Sequence, residues 1–276
     1  MLVILSGSSG VGKNTVINEM LRRYDDYELL PTYTTRARRE NETQGNPYFF
    51  ISDHEFKNML EQDAFFEHQI VHEHYYGIAK QVLFDRLKSS KILIKDIDVL
   101  GTINLLNEVK NEFDILTFFY YVKSKDILVE RLKGRNEANI KLRLQRYEME
   151  KKLSPQYDYV IENNDMEKTL LMTKQAIDYE ISNEYLLPTK HADMIDKKRI
   201  KKLAKEIKSG HFLPGIDVSF ENGNLYIIDG HHRYLASVLA KGRIAKHIID
   251  AKHIEKADHS SWESLCHHFG NGKHGI

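Results

Sequence analysis

Apolar and polar positions follow two periods along this chain, and the switches between them mark out its elements. "LVILS" at residues 2–6 carries no charge and predicts a buried strand. In "NTVINEMLRRY", Val16, Ile17, Met20 and Leu21 recur at helical spacing and share one face. "KILIKDID" and "ILTFFYYV" predict further strands, while "KDILVERLKGR" and "NIKLRLQRYEMEKKL" predict helices. "YDYVIEN" predicts a last strand, followed by a helix from about Met166 to Ile181. Alternation of this kind predicts an α/β fold, a doubly wound parallel sheet covered by helices.

The periodicity breaks at "SNEYLLPTKHADMID", where polar residues and Pro188 interrupt it. A boundary near 184–188 divides the chain into domains at 1–183 and 186–276. In the second, Asp196 is the expected N-cap of "KKRIKKLAKEIKSG", with Ile200, Leu203 and Ile207 facing inward and Gly210 closing the helix. "GIDVSF", a turn at "ENGN", "LYIID" and a helix after His231 follow, the pattern of a smaller α+β domain. There is no internal repeat and no low-complexity linker.

Composition narrows the class. The 276 residues are 41% hydrophobic and 29% charged, as in ordinary globular proteins. No apolar run approaches the roughly 18 residues of a membrane span, and "MLVILSGSSG" is too short and uncharged for a signal peptide. No membrane partner is expected. The single cysteine, Cys266, excludes an internal disulfide and fits a cytoplasmic location. A net charge of zero hides an asymmetry. From Leu186 onward 15 Lys plus Arg stand against 10 Asp plus Glu, a net +5, which leaves −5 on residues 1–185. That excess, with 10 of the 14 histidines, suggests an anionic ligand for the second domain and lends DNA only weak support.

"GSSGVGKN", Gly7 to Asn14, follows a predicted strand and opens a predicted helix, the context in which a phosphate-binding loop is meaningful. Gly7, Gly10 and Gly12 let main-chain amides wrap phosphates, and Lys13 can reach the β- and γ-phosphates. The expected ATP site comprises Gly7, Ser9, Gly10, Val11, Gly12, Lys13, Asn14 and Thr15. Asn14 stands where a Ser or Thr ligand to magnesium is usual, with Thr15 next to it.

Further along, "TYTTRARRENETQGNPYFF", "DAFFEHQIVHEHYYG", "LIKDIDVLG", "RLKGRNEANIKLRLQR" and "YDYVIENND" resemble guanylate kinase motifs, in order and at closely matching spacing, over residues 1–183. The resemblance implies phosphoryl transfer from ATP, with Mg²⁺, to GMP or dGMP on a P-loop core with a mobile lid and an acceptor-binding subdomain. It implies that Arg36, Arg39, Tyr48 and Tyr76 hold the acceptor phosphate. Arg131, Arg135 and Arg143 become lid arginines acting with Lys13 and Arg36 on the transferred group. Asp96 and Asp98 lie near acceptor and metal, Mg²⁺ being expected with ATP near Asn14 and Asp96. Glu67 accepts hydrogen bonds from the guanine N1–H and amino group. Thr32 replaces the family's serine, a tolerable exchange of hydroxyls. Ile78 replaces a Ser or Thr, Leu100 replaces a Gln, and the lid between Arg135 and Arg143 is about three residues shorter than the family's usual spacing. Phosphate handling is thus retained and base recognition altered, which keeps a modified purine nucleotide open beside GMP and dGMP.

The stretch from Leu186 to Ile254, with "IDGHHRYLA", resembles the ParB/sulfiredoxin-like fold, in which such a turn binds nucleotide phosphates. Asp229, Gly230, His231, His232 and Arg233 are the expected phosphate site. Asp193, near His191, falls roughly where the serine-kinase branch carries an acid. Two other readings stay open: a non-catalytic nucleotide-sensing or DNA-binding protein, and a small-molecule, serine-like kinase acting through the C-terminal domain.

Overall fold

The computed structural model describes residues 1–40, 42–71, 73–88, 91–109, 113–134, 140–182, 186–254 and 256–269, with only the backbone at Val71, Lys141, Leu142 and His267. Contacts group the chain into two compact units. One comprises Met1–Gly7 with Lys13–Thr117, the other Ser8–Gly12 with Phe118–Ile276.

The first unit opens with β1 (Leu2–Ser6), α1 (Lys13–Arg23), β2 (Tyr27–Leu29), β3 (Thr32–Thr34), β4 (Thr43–Gln44), β5 (Pro47–Phe50) and α2 (Asp53–Glu61). It continues with β6 (Phe65–Val71), β7 (His74–Ala79), α3 (Lys80–Leu87), β8 (Ile92–Asp96) and α4 (Val99–Val109). Strands β2, β8 and β1 lie side by side in parallel, with Tyr27 opposite Ile92 and Leu2 opposite Leu93. All of β1 is buried. Covering on both faces is why such a strand reads as an unbroken apolar run. Leu2, Ile4, Leu93, Ile97, Leu105 and Ile78 share one core.

A second sheet, in the order β4-β5-β3-β7-β6, was not foreseen from the sequence. Three of its strands are only two to four residues long. The hairpin β6–β7 anchors it, with Phe56 stacked on Phe65 at 4.4 Å and on Tyr75 at 5.1 Å. Ser52 and Glu55 form a reciprocal capping box that starts α2.

The boundary between the units falls within β9 (Ile115–Tyr121). Next come α5 (Lys125–Lys133), α6 (Ile140–Lys152), β10 (Tyr159–Glu162), α7 (Met166–Ser182), β11 (Leu187–Pro188) and α8 (Lys197–Lys208). The chain closes with β12 (Ile216–Glu221), β13 (Asn224–Asp229), α9 (His231–Ala240), β14 (Lys246–Ile248) and α10 (His259–Phe269). β9, β10, β14 and β12 run parallel in that order, β13 pairs antiparallel with β12, and β11 is parallel to β13.

The parallel expectation gives way in the second sheet, where β7 runs antiparallel to β3 and β6. The antiparallel pair β12–β13 falls after residue 186, where the sequence placed a turn at "ENGN" in an α+β pattern. Asn222 and Gly223, both at positive φ (51° and 81°), form a two-residue turn that can only reverse the chain. The segment after 186 is also stitched to what precedes it. β14 extends the β10 edge, with Tyr159 opposite Lys246, and Lys246 Nζ lies 3.0 Å from Glu180 and over the Tyr159 ring. Contacts thus divide the chain at Thr117/Phe118, whereas the sequence pattern breaks near 184–188. Asp196 caps α8 as expected, accepting from the amides of Lys198 and Arg199, and Ile200 is buried beneath it. Among the described residues no helix is long and apolar enough to cross a membrane. Cys266 is buried and unpaired.

Candidate functional site

The loop from β1 to α1 is built for close backbone approach. Gly7, Gly10 and Gly12 have φ of 126°, 88° and 100°. A Cβ at Gly12 would fall 2.5 Å from Asn163 Nδ2, so no other residue fits there without displacing that amide. Asn163 is buried at the end of β10, donates Nδ2 to the Val11 carbonyl at 2.6 Å and accepts the Thr169 hydroxyl at 2.9 Å. Arg131 of α5 donates to the Asn163 and Val11 carbonyls at 2.8 and 3.4 Å. Arg143 of α6 donates to the Ser9 hydroxyl, and Ser8 donates to the buried Glu150 carboxylate. Residues 8–12 are thus fastened by side chains from α5, α6 and β10.

Lys13 Nζ donates to the Gly7 carbonyl at 2.6 Å. α1 has no acid in its first turn and carries Arg22 and Arg23 in its last, which leaves its positive end for an anion. Arg135 lies outside the described residues.

Magnesium needs hard oxygen donors and few protein ligands. Asn14 and Thr15 are exposed in the first turn of α1, and Asp96 ends β8, so an amide, a hydroxyl and a carboxylate oxygen are on hand. Among the described residues no group of three or more His, Cys, Asp or Glu is arranged to hold a metal by itself. The donor set suits a cation delivered with a polyphosphate.

In the first unit a cavity of 260 Å³ is walled by Thr32, Tyr48, Glu67, Gln69, Tyr76, Gly77, Ile78, Lys95, Asp96 and Ile97. Glu67, on β6, is 9% exposed, and burial, then Asp98, pushes its carboxyl up to about 7, with Lys95 acting the other way. α4 can approach only because residue 101 is glycine: a Cβ there would meet Glu67 Oε1 at 2.8 Å.

Arg36 makes a two-pronged bond to Glu42 (2.8 and 3.0 Å) and lies over the Tyr48 and Phe50 rings at 5.3 and 5.5 Å. That guanidinium holds the Glu42 carboxyl down to about 2. Tyr48 and Tyr76 meet edge to face at 5.7 Å, and burial, then Asp96, pushes the Tyr48 phenol up to about 12.

Five expected acceptor residues, Thr32, Tyr48, Glu67, Tyr76 and Asp96, thus line one cavity, with Arg36 against Tyr48. Arg39 is exposed and is fixed there through its backbone N–H to Glu42, and Asp98 caps α4 by accepting the Gly101 N–H at 2.9 Å. Ile78 lines the cavity and is 2% exposed, whereas Leu100 is 46% exposed. The sequence reading did not single out Lys95, Glu42, Glu150 or Asn163, although Glu42, Lys95 and Asn163 lay in quoted motifs and Glu150 in a predicted helix.

In the C-terminal segment Gly230, at φ 96°, heads α9, and Arg233 pairs with Asp229 at 3.1 Å. Both histidines are engaged with the segment that precedes α8. His231 Nε2 accepts the Thr189 N–H at 3.1 Å, its ring is 1% exposed against Trp262, and burial, then Lys190, pulls its pKa down to about 4. His232 Nε2 accepts the Asp196 N–H at 3.0 Å. Both fasten the 189–196 strap to α9. Asp193 borders an open basin of 660 Å³ with Lys197, Ser260, Ser261 and Ser264.

The family model for guanylate kinase matches residues 1–180. A guanylate kinase of Rickettsia prowazekii (strain Madrid E) is 35% identical over 180 residues, 64% of this chain and 90% of that protein. One of Helicobacter pylori (strain ATCC 700392 / 26695) is 38% identical over 171 residues, 61% and 82%. The crystal structure of guanylate kinase from Anaplasma phagocytophilum overlaps with a TM-score of 0.47 at 25% identity, over 65% of this chain and 85% of that one. Loop, cavity and matched span agree: the chain belongs to the guanylate kinase family over residues 1–180 and is a nucleoside monophosphate kinase.

Proposed function

We propose that the enzyme transfers the γ-phosphoryl group of ATP to GMP or dGMP. The observation that carries this reading is Glu67, a buried carboxylate in a cavity with Tyr48 and Tyr76 on its wall and Arg36 stacked on Tyr48. A carboxylate there accepts two N–H bonds from a guanine edge, whereas an adenine edge offers it only one. An oxygen of the acceptor phosphate attacks the γ-phosphorus, and the bond to the β-phosphate oxygen breaks to release ADP. Lys13, Arg131 and Arg143 supply positive charge for that transfer, and Arg36 holds the acceptor phosphate after exchanging its bond to Glu42. Magnesium arriving with ATP adds charge compensation, and Asn14, Thr15 and Asp96 are the residues that would hold it.

The test is ADP release from ATP and Mg²⁺ against a panel of ribo- and deoxynucleoside monophosphates. Turnover is expected with GMP or dGMP, and Lys13→Ala is expected to lower kcat/KM by about 100-fold or more. A purine monophosphate carrying an added group is the alternative acceptor, and faster turnover with it than with GMP would install it instead.

For residues 186–276 we infer a ParB/sulfiredoxin-like module that takes a phosphate at Gly230 and Arg233. The left-handed glycine heading α9 and the part-buried guanidinium beside it support this. A small-molecule kinase in this segment is favoured by one observation, the basin beside Asp193. Phosphate transfer to a free hydroxyl compound that survives Lys13→Ala and is lost in Arg233→Ala would establish it.

A further inference from the structure

Lys95 is a cation in a place that ordinarily excludes one. It is 6% exposed in the middle of β8, hydrogen-bonded in register with Ile4, and its amine opens onto the 260 Å³ cavity. Among the described residues it makes no hydrogen bond. The nearest carboxylate oxygen, on Asp96, is 3.9 Å away, and the Tyr48 ring centre is at 5.0 Å. An ammonium group taken out of water without hydrogen bonds is costly, and a ligand that supplies an acceptor removes that cost. The cavity already has a site for N–H donors in Glu67, and Lys95 is near enough to act on that carboxylate electrostatically.

On a 6-oxopurine the ring N–H that would face Glu67 is bonded to the carbon bearing the exocyclic oxygen. A cation sharing the cavity with Glu67 meets that oxygen when the base lies with its 6-oxo edge toward β8. Ile78, buried on the same wall, has no polar side-chain atom to meet it. We propose that Lys95 is a specificity-determining residue, whose ammonium group donates a hydrogen bond to the 6-oxo group of the acceptor base. The proposal rests on the acceptor reading above. It makes Glu67 and Lys95 a complementary pair, one accepting from the base and the other donating to it.

The test is the affinity of the full chain and of its Lys95→Met variant for GMP and for 6-thioguanosine monophosphate. The thio compound keeps both N–H groups that face Glu67 and exchanges only the oxygen for a weakly accepting sulfur. Loss of one charge-assisted bond is expected to weaken GMP by about tenfold or more and the thio compound by less than about threefold. Methionine fills a buried site readily, so the ligand-free melting temperature is expected to stay level or rise.

Equal weakening of both ligands would overturn the proposal, because it is what a lysine serving the phosphate, or merely balancing Glu67, would give. A drop in melting temperature with discrimination preserved would overturn it too, as a structural role. Failure of the unaltered protein to bind GMP at all would sink the acceptor reading and this inference with it, a result distinct from either of the others.

Discussion

In the proposed function Glu67 is the residue that receives the base, and its titration gives that reading a pH signature. Burial raises its carboxyl to about 7, and only the ionised form can accept both N–H groups of the base. GMP affinity is expected to be highest above about pH 8 and to fall nearly tenfold per unit as pH drops below about 7. Glu67→Gln is expected to flatten that slope, measured by calorimetric titration across the range. The same shift acts on stability with the opposite sense. A raised carboxyl costs the ligand-free protein nothing below about pH 4.5 and its full penalty above about pH 7.

Residue placements were legible where a motif fixes them. Gly7, Gly10, Gly12 and Lys13 declare themselves between a strand and a helix, and Glu67 through its block. Lys95 did not, because inside "KILIKDID" it reads as an exposed interruption of a strand. Only the arrival of β6 and β7 beside β8 makes it a cavity wall. Asn163 and Glu150 likewise acquire meaning from a loop more than 140 residues away in sequence.

Elements were legible in proportion to their length and contrast. β1 and β9 carry nearly unbroken apolar runs, and α1 and α8 carry clear 3.6-residue stripes. The sheet of β3, β4, β5, β6 and β7 was missed because three of its strands are only two to four residues long, too short to repeat an alternation. Its function depends on a helix in the other half of the same unit. Gly101→Ala in α4 adds a methyl 2.8 Å from Glu67 Oε1, so the carboxylate must move. KM for GMP is expected to rise about tenfold or more, with the KM for ATP little changed, in steady-state assays. At α8 the cap is the local determinant. Asp196→Ala removes the acceptor for the amides of Lys198 and Arg199 and is expected to cost about 1 kcal/mol in denaturant unfolding.

At the scale of the whole molecule, the sequence suggested two domains in tandem with a junction near 184–188, and the family match covers residues 1–180. The ladder between β10 and β14 shows why residues 186 onward are not a loose appendage. Without them the β10 edge loses its partner, and Tyr159 and Glu180 lose the Lys246 ammonium group. A chain ending at residue 182 is expected to melt several degrees lower than the full chain and to associate through the bared edge, by calorimetry and light scattering. An unchanged melting temperature and a monomer would mean that the ladder contributes little. Such pairing between distant strands lies beyond any periodicity, because register is set by partners rather than by the strand itself.

The central claim, that the Glu67 cavity receives the guanine of the acceptor, is tested most directly by calorimetric titration of GMP and AMP into the unaltered protein and Glu67→Gln at about pH 8. GMP is expected to bind the unaltered protein at one site, at least about 100-fold tighter than AMP, and to lose most of that preference in the variant. Equal binding of AMP and GMP, or GMP affinity untouched by Glu67→Gln, would contradict the account.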